Sequence, residues 1–525
     1  MKHVSFCRKW MMTAVLMFTM LFISGQAMAE GMGGKQDVVQ LQILSINDFH
    51  GALTESGKNP GAAKLVAYIE KVRDQNPEGS IVVSAGDMFQ GSPDSNLLYG
   101  KTVVDVMNYA RFNAMTLGNH EFDWGIDVLK QRIQQSAFPY ICANVIDKRT
   151  GKPADFVKPY TVLERKGVKI GIIGIATPET AYKTNPKMIE NYAFADPVTT
   201  VRTLVPELKK QGVQIIIALT HLGSEMDNQG NLHGDAVQLA QEVDGLDAVI
   251  SGHSHQEVFG QVHNVPVVQA YYNGRAVGKI DITYNKRTRK VETAVASVTT
   301  LSSMDQLPDQ QVKAMIEDSQ KEIAPVKNIV VGHTLNALSH DRNELAQTTL
   351  GQWVTDTLRQ TAGADIAFQN TGGLRTGIMS GDITMGNLYE VMPFDNTLFT
   401  VEMTGAQIMQ VLEYGIGNKK IGMLQYSGLK IAYETLSPAG LRIAAVMATD
   451  GTLLQSEKKY KVVINDFMAV GGDGFTMFRE GTNLYDTGIP IRDIIAEALR
   501  KQQIIDFSPD DRWQAVPAGE LLDAA

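Results

Sequence analysis

The sequence has 525 residues, 44% of them hydrophobic and 20% charged, and a formal net charge of -9. That length allows two or more domains, each large enough to bury its own core. The acidic balance excludes electrostatic binding to nucleic-acid polymers or anionic membranes, so any affinity for phosphate has to be local.

The chain opens on a basic head (Lys2, Arg8, Lys9), an apolar run from Trp10 to Ser24 and the small-x-small triplet Ala27-Met28-Ala29. This is the pattern of a signal peptide over residues 1–29, with the mature protein starting at Glu30 after export to the periplasm. An uncleaved anchor is the rival reading, but the run falls short of the roughly 20 residues a span needs. Cys7 precedes the run rather than marking a cleavage site, which argues against a lipoprotein. Cleavage removes three positive charges and no negative one, taking -9 to -12. Of the two cysteines only Cys142 survives it, so no internal disulfide is expected, and in FPYICANV it reads as a buried strand residue. No later stretch is apolar enough to cross a bilayer, so no membrane contact is expected after cleavage.

From residue 30 to 303, short β-branched runs (LQILSI, SIVVSA, VKIGIIGIA, VQIIIALT, LDAVIS) alternate with amphipathic segments such as AAKLVAYIEKVRDQ. The alternation predicts a layered α/β domain. Residues 304–325 turn polar and helical and form a connector or hinge. Residues 326–525 make a second mixed α/β domain, with helices expected near 344–362, 405–416 and 490–503 and strands near 365–369, 397–403 and 460–465.

Five of the apolar runs end in metal-capable residues. LQILSINDFH carries Asp48 and His50, IVVSAGD carries Asp87, and AMTLGNHEFD carries Asn119, His120 and Asp123. IIIALTHLG carries His221, and LDAVISGHSH carries His253 and His255. In D-x-H and H-x-H at a strand end, strand alternation predicts that both side chains face one ion. The C-terminal ends of strands gather at one edge of an α/β sheet, so five loops there could hold two ions bridged by one carboxylate. Each piece alone is more often a turn or a satisfied polar residue. The run VKIGIIGIAT ends with no histidine or carboxylate at its tip. His3, His233, His263, His333 and His340 fall outside any cluster and read as structural or solvated.

The ordered set D-x-H, GD, GNHE, TH, GHSH resembles the calcineurin-like metallophosphoesterases, and N-D-F-H-G with G-N-H-E-F-D resembles their 5'-nucleotidase / UDP-sugar hydrolase branch. The resemblance implies one metal held by Asp48, His50 and His255 and a second by Asn119, His221 and His253, with Asp87 between them. It casts His120 and Asp123 as the catalytic dyad. Two divalent ions, with Zn, Mn, Mg and Co all suited to such ligands, would activate a water and polarise the phosphoryl oxygens. Some family members carry Gln at the position of His255.

Three later motifs stand out: ADIAFQNTGGLRTG with Asn370, Gly372, Gly373 and Arg375; YEVMPFDNT with Phe394 and Asn396; NDFMAVGGDGF with Phe467 and Asp473. Alone, Gly-Gly is a turn, a strand-side phenylalanine is core and one arginine is a solvated charge. The three together resemble the 5'-nucleotidase C-terminal domain. That implies a base stacked between Phe394 and Phe467, Asn396 and Asp473 bonded to base or ribose, Asn370 and Gly373 lining the site, and Arg375 on phosphate. Upstream, where relatives can carry two arginines, HDRNELAQTTLG has only Arg342, a weaker phosphate ligand in a shortened segment.

The implied function is a secreted nucleoside 5'-phosphate hydrolase for nucleotide salvage, acting on a small nucleotide and not on a nucleic-acid polymer. Two rivals stand beside it: a 2',3'-cyclic phosphodiesterase / 3'-nucleotidase, and a secreted nucleotide-binding protein with a degenerate site. The complete ligand set argues against the second, and PFDN against the first. No residue pattern speaks to oligomeric state.

Overall fold

A computed structural model describes residues 37–301, 306–434, 437–438 and 440–516, and the expected signal peptide lies outside them. The first unit is built on two six-stranded sheets. β1 (Val38–Ile46), β2 (Ser80–Ser84), β3 (Ala114–Thr116) and β4 (Tyr140–Ile141) run as parallel neighbours. The chain then crosses to β5 (Tyr160–Arg165), β6 (Val168–Ala176), β7 (Ile215–His221), β8 (Ala248–Ile250), β9 (Glu257–Val262) and β10 (Val265–Ala270), in spatial order β9-β10-β8-β7-β6-β5. β11 (Ala276–Asn285) and β12 (Lys290–Thr300) return to the first sheet, whose order is β12-β11-β1-β2-β3-β4.

Strand alternation sets the layers. Leu41 and Ile43 point into a core shared with Val83, Ile172, Ile217 and Leu219, so the two sheets pack face to face. Leu44 and Ile46 point the other way, into a core shared with α1 (Gly61–Arg73) and α2 (Lys101–Tyr109). On the far side, Ile173, Ile175 and Ala218 pack against α3 (Pro197–Lys210). Cys142 is buried, as its apolar run predicts.

α4 (Gln310–Lys327) follows, started by the Asp309 carboxylate, which accepts from the N–H groups of Gln311 and Val312. Val312 and Ile316 anchor it in the first core. Pro325 sits in its last turn without ending it. At its end Lys327 forms an ion pair with Asp94, which is buried in the first unit.

The second unit holds a five-stranded sheet between α5 (Thr349–Ala362) and α7 (Ile491–Gln502) on one face and α6 (Gly405–Gly415) on the other. Its strands β13 (Ile366–Gln369), β14 (Thr397–Thr404), β15 (Gln425–Ser427), β16 (Lys459–Asn465) and β17 (Thr482–Pro490) lie in the order β15-β13-β16-β14-β17. The helix expected from 344 begins only at Thr349. Thr348 is extended, and its hydroxyl accepts from the Gly351 N–H, so the cap fixes a later start.

Candidate functional site

The metal-capable motifs do meet, but they come from two sheets rather than one edge. β1, β2 and β3 of the first sheet and β7 and β8 of the second bring their C-terminal ends together, side by side in the sandwich. Pairing continues past the strands: Asp48 N–H donates to Gly86 O at 2.9 Å, and His50 N–H to Asp87 O at 3.0 Å.

Strand alternation does not aim the D-x-H and H-x-H side chains, and His253 and His255 go to different donor groups rather than to one ion. β1 stops at Ile46 and β8 at Ile250, so all four side chains stand on loops. Asp48 (φ 49), His50 (φ 49), Asp87 (φ 55), His253 (φ 72) and His255 (φ 56) all take left-handed backbone conformations. Each such residue reverses the chain locally, so these turns, and not a two-residue pleat, aim the side chains inward. Each costs on the order of 1 kcal/mol for an L-residue, a strain that the surrounding fold must hold in place.

Two donor groups result, Asp48 with His50 and His255, and Asp87 with His221 and His253, each with its ligand atoms within 4.8 Å of one another. Their hydrogen bonds show what they face. His50 Nδ1 lies 2.9 Å from Gln90 O and His221 Nδ1 lies 2.7 Å from Ala85 O, so both rings donate outward through Nδ1 and turn Nε2 inward. His50 Nε2 then meets His255 Nε2 at 3.1 Å. His221 Nε2 is buried, 3.1 Å from Asp87 Oδ2, and makes no hydrogen bond. Asn119 Oδ1 is buried and likewise unpaired. Converging lone pairs with nothing between them are unfavourable unless a cation joins them, so this donor set fits divalent metal.

The charged groups of the cluster also shift one another. Burial pushes the Asp48 pKa up, but His255 and His221 outweigh it and hold the carboxyl at about 2. Asp87 is likewise driven well below the usual carboxylate range, its desolvation overcome by His221 and His120. The two carboxylates together push His221 up to about 10, against the effect of burial.

Asp87 is fixed from three sides. The His120 N–H donates to its Oδ1 at 2.9 Å, and a Cβ on Gly118 would stand 2.1 Å from the same oxygen, so only glycine fits there. Glu121, which the motif reading left without a role, accepts from the N–H groups of Asp87, Met88 and Gly118 at 2.7–2.8 Å. Its carboxyl is pushed up to about 7 by burial and by the Asp87 charge. Beside this, His120 Nδ1 lies 2.6 Å from Asp123 Oδ2. Burial lowers the imidazole pKa, but Asp123 and Asp87 raise it further, so the ring is biased toward imidazolium.

A cleft of about 1790 Å³ runs between this cluster and the second unit. Arg342, Asn370, Gly373, Arg375, Phe394, Asn396, Phe467 and Asp473 all line it, opposite His50, His120 and His253. Arg375 is half-buried, and burial and Arg342 together push its pKa down to about 9. The Phe394 ring stacks on His120 with centroids 5.6 Å apart. Asn370 Nδ2 donates to Asp473 Oδ2 at 2.7 Å, and Asn396 Nδ2 donates to Asp466 Oδ1 at 2.9 Å. Asp466 is buried and stands beside Phe467 in NDFMAVGGDGF, where the motif gave it no role.

Several other groups in the cleft escape sequence reasoning. β6, whose tip bears no metal-capable residue, leads into a helical turn (Thr180–Lys183) that overhangs the site. Glu179 lies 2.9 Å from His253 Nε2, and Lys183 pairs with Asp473 at 3.1 Å. Tyr272 stacks on His255, centroids 5.0 Å apart, and the Arg275 guanidinium lies 4.4 Å from the centre of the Tyr272 ring. His340, read as structural, also stands on the cleft wall.

Two family models match the chain: calcineurin-like phosphoesterase over residues 41–257 and 5'-nucleotidase, C-terminal domain, over 330–480. A cell wall protein of Listeria monocytogenes, Lmo0130, is 33% identical over 85% of this chain and 65% of its own length. A 5'-nucleotidase of Vibrio cholerae is 28% identical over 92% of this chain and 93% of its own. The crystal structure of a 5'-nucleotidase precursor from Thermus thermophilus superposes with a TM-score of 0.79 at 28% identity, covering 91% of this chain and 99% of that one. The chain spans only 65%, 39% and 34% of three longer relatives. No helix among the described residues is long and apolar enough to cross a membrane.

Proposed function

The chain belongs to the 5'-nucleotidase family of calcineurin-like phosphoesterases, and from that premise we propose that it hydrolyses nucleoside 5'-phosphates with two divalent metal ions. The observation that carries the reading is one cleft with a cation-fitting donor set on one wall and arginine, aromatic and amide groups on the other.

Asp48, His50 and His255 would hold one ion, and Asn119, His221 and His253 the other, with Asp87 shared. Bound there, the ions supply positive charge for the phosphate and an activated water for attack on phosphorus. The rest falls to the protein. His120 has Nδ1 committed to Asp123, which leaves Nε2 for a phosphate oxygen and brings a proton near the leaving oxygen. Arg375 pairs with the phosphate and Arg342 assists from the exposed rim. A base cannot enter between Phe394 and His120, since 5.6 Å is less than two stacking distances. We assign the base to the other face of Phe394, with Phe467, Asn396 and Asp473 lining the same cleft.

The cleft exceeds the few hundred cubic ångströms that suffice for a small ligand, which supports a second phosphate or a sugar and hence UDP-sugars as further substrates. The basic head, apolar run and Ala-x-Ala triplet support export to the periplasm and a role in nucleotide salvage. Product analysis by chromatography after incubation with AMP, UDP-glucose, 3'-AMP or 2',3'-cyclic AMP, with Zn, Mn, Mg or Co added, tests the proposal against a His120→Ala control. The expected profile favours AMP. Preference for the cyclic or 3' compounds would support the rival phosphodiesterase, and AMP binding with no turnover under any metal would support a binding protein.

A further inference from the structure

The turn after β6 touches both halves of the site. Thr184 is 1% exposed, and its hydroxyl donates to Asp123 Oδ1 at 2.7 Å. Asp123 Oδ2 already holds His120 Nδ1, so the two bonds together fix the carboxylate plane and with it the imidazole. The residues on either side of Thr184 reach across the cleft. Lys183 Nζ donates to Asp473 Oδ1 at 3.1 Å, and Asn185 Nδ2 donates to Asp466 Oδ2 at 2.7 Å. Asn185 is itself rigidly held, because its Oδ1 accepts from the Lys187 N–H at 3.0 Å.

Asp466 and Asp473 are not free surface groups. The other oxygen of Asp466 accepts from Asn396, and the other oxygen of Asp473 accepts from Asn370. Each carboxylate thus has one oxygen on the nucleoside side and one on the 183–185 segment. Counted in hydrogen bonds, Asp473 is one from the 183–185 segment and two from Asp123, and Asn396 is two and three.

We propose that Thr184 is a positioning residue for the His120–Asp123 pair, and that Lys183 and Asn185 couple its placement to occupancy of the nucleoside side of the cleft. The inference rests on the hydrolase reading above. Under it, a nucleoside brings faster turnover as well as tighter binding, because seating it steadies the imidazole.

The test compares AMP with ribose 5-phosphate, which lacks the base, for the metal-loaded full chain. Thr184→Val keeps the shape and removes the donor. It should lower kcat on AMP about 10-fold, as expected for losing a hydrogen bond to a charged group, and less on ribose 5-phosphate, with KM and bound metal unchanged. Thr184→Ser, which restores the hydroxyl, should restore kcat. Asn185→Ala should shrink the kcat ratio of AMP to ribose 5-phosphate towards one. The proposal is overturned if Thr184→Val turns over both substrates at the wild-type rate. It is equally overturned if the Val variant loses metal, if Ser does not rescue, or if Asn185→Ala leaves the ratio intact. Wild-type protein that releases no phosphate from AMP would overturn the hydrolase reading together with this one, whereas wild-type activity with any of the other failures overturns this one alone.

Discussion

The two walls of the cleft are built by different means. On the metal-side wall the charged groups are sealed in, Asp48 and His221 at 0% exposure and Asp87 at 2%, and they are oriented largely by backbone. Main-chain carbonyls fix the rings of His50 and His221, and main-chain N–H groups fix Asp48, Asp87 and Glu121. The opposite wall is half-buried at Arg375, Phe394, Asn396 and Phe467, and its polar groups are held by one another: Asn370 by Asp473, Asn396 by Asp466. Backbone partners cannot leave, whereas side-chain partners can be exchanged for a ligand's atoms. The first wall is therefore preset for one kind of occupant, and the second can adjust to several.

The sharpest way to break that contrast is at Asp87. Asp87→Ala removes the carboxylate grouped with His221 and His253 and proposed to be shared by both ions, and activity on AMP should fall by more than about a thousand-fold with bound metal reduced. Elemental analysis showing a full metal complement would contradict the shared role. His120→Ala comes next, with an expected loss of about a hundred-fold or more in kcat and metal retained; metal loss would place His120 among the ligands instead. On the adaptable wall the effects should be smaller and fall on binding. Arg375→Ala is expected to raise KM for AMP about 10-fold and Arg342→Ala less, and the reverse order would make Arg342 the main phosphate contact.

The smallest effects belong to the contacts that join the walls. Burial raises the Asp94 pKa, but Lys327 and Thr54 outweigh that and hold it below its ordinary value. A lowered folded-state pKa gives stability that is present above the unfolded value and lost as pH falls through the folded one. Asp94→Asn should accordingly lower Tm at pH 7 and match the wild type in acid below the carboxylate range. An equal deficit at both pH values would assign the loss to packing. The more exposed Lys187–Asp486 pair should matter least, with Lys187→Ala costing under about 1 kcal/mol in chemical denaturation.

Much of the metal-side wall could be read from sequence because each loop carries its donors within a few residues of a recognisable strand. What failed there was the geometry: Asp48 and His50 are two apart but lie past the strand, where left-handed turns replace alternation. The α5 start was missed because Thr348, not the helix-compatible residues before it, decides where the helix begins. The linking residues were out of reach for another reason. Asn185 and Asp466 are 281 positions apart and Lys183 and Asp473 290 apart, and while NDFMAVGGDGF holds both aspartates, no local pattern distinguishes Lys183 or Asn185 from ordinary surface polar groups. Glu121 was visible inside GNHEFD, but its role depends on Asp87, 34 positions earlier.

The left-handed loops also bear on how this protein can change over generations. Asp, Asn and His are the non-glycine residues that most readily adopt such a backbone, so at Asp48, His50, Asp87, His253 and His255 the same residue types serve both the turn and the ion. A replacement must therefore pass two filters at once. Glutamate keeps the carboxylate of Asp48 but has no special tolerance for the turn, while asparagine keeps the turn and one oxygen donor but drops the charge. Drift at these positions should run along the Asp–Asn–His set, and a change of metal preference is more accessible to this lineage than a change of loop shape.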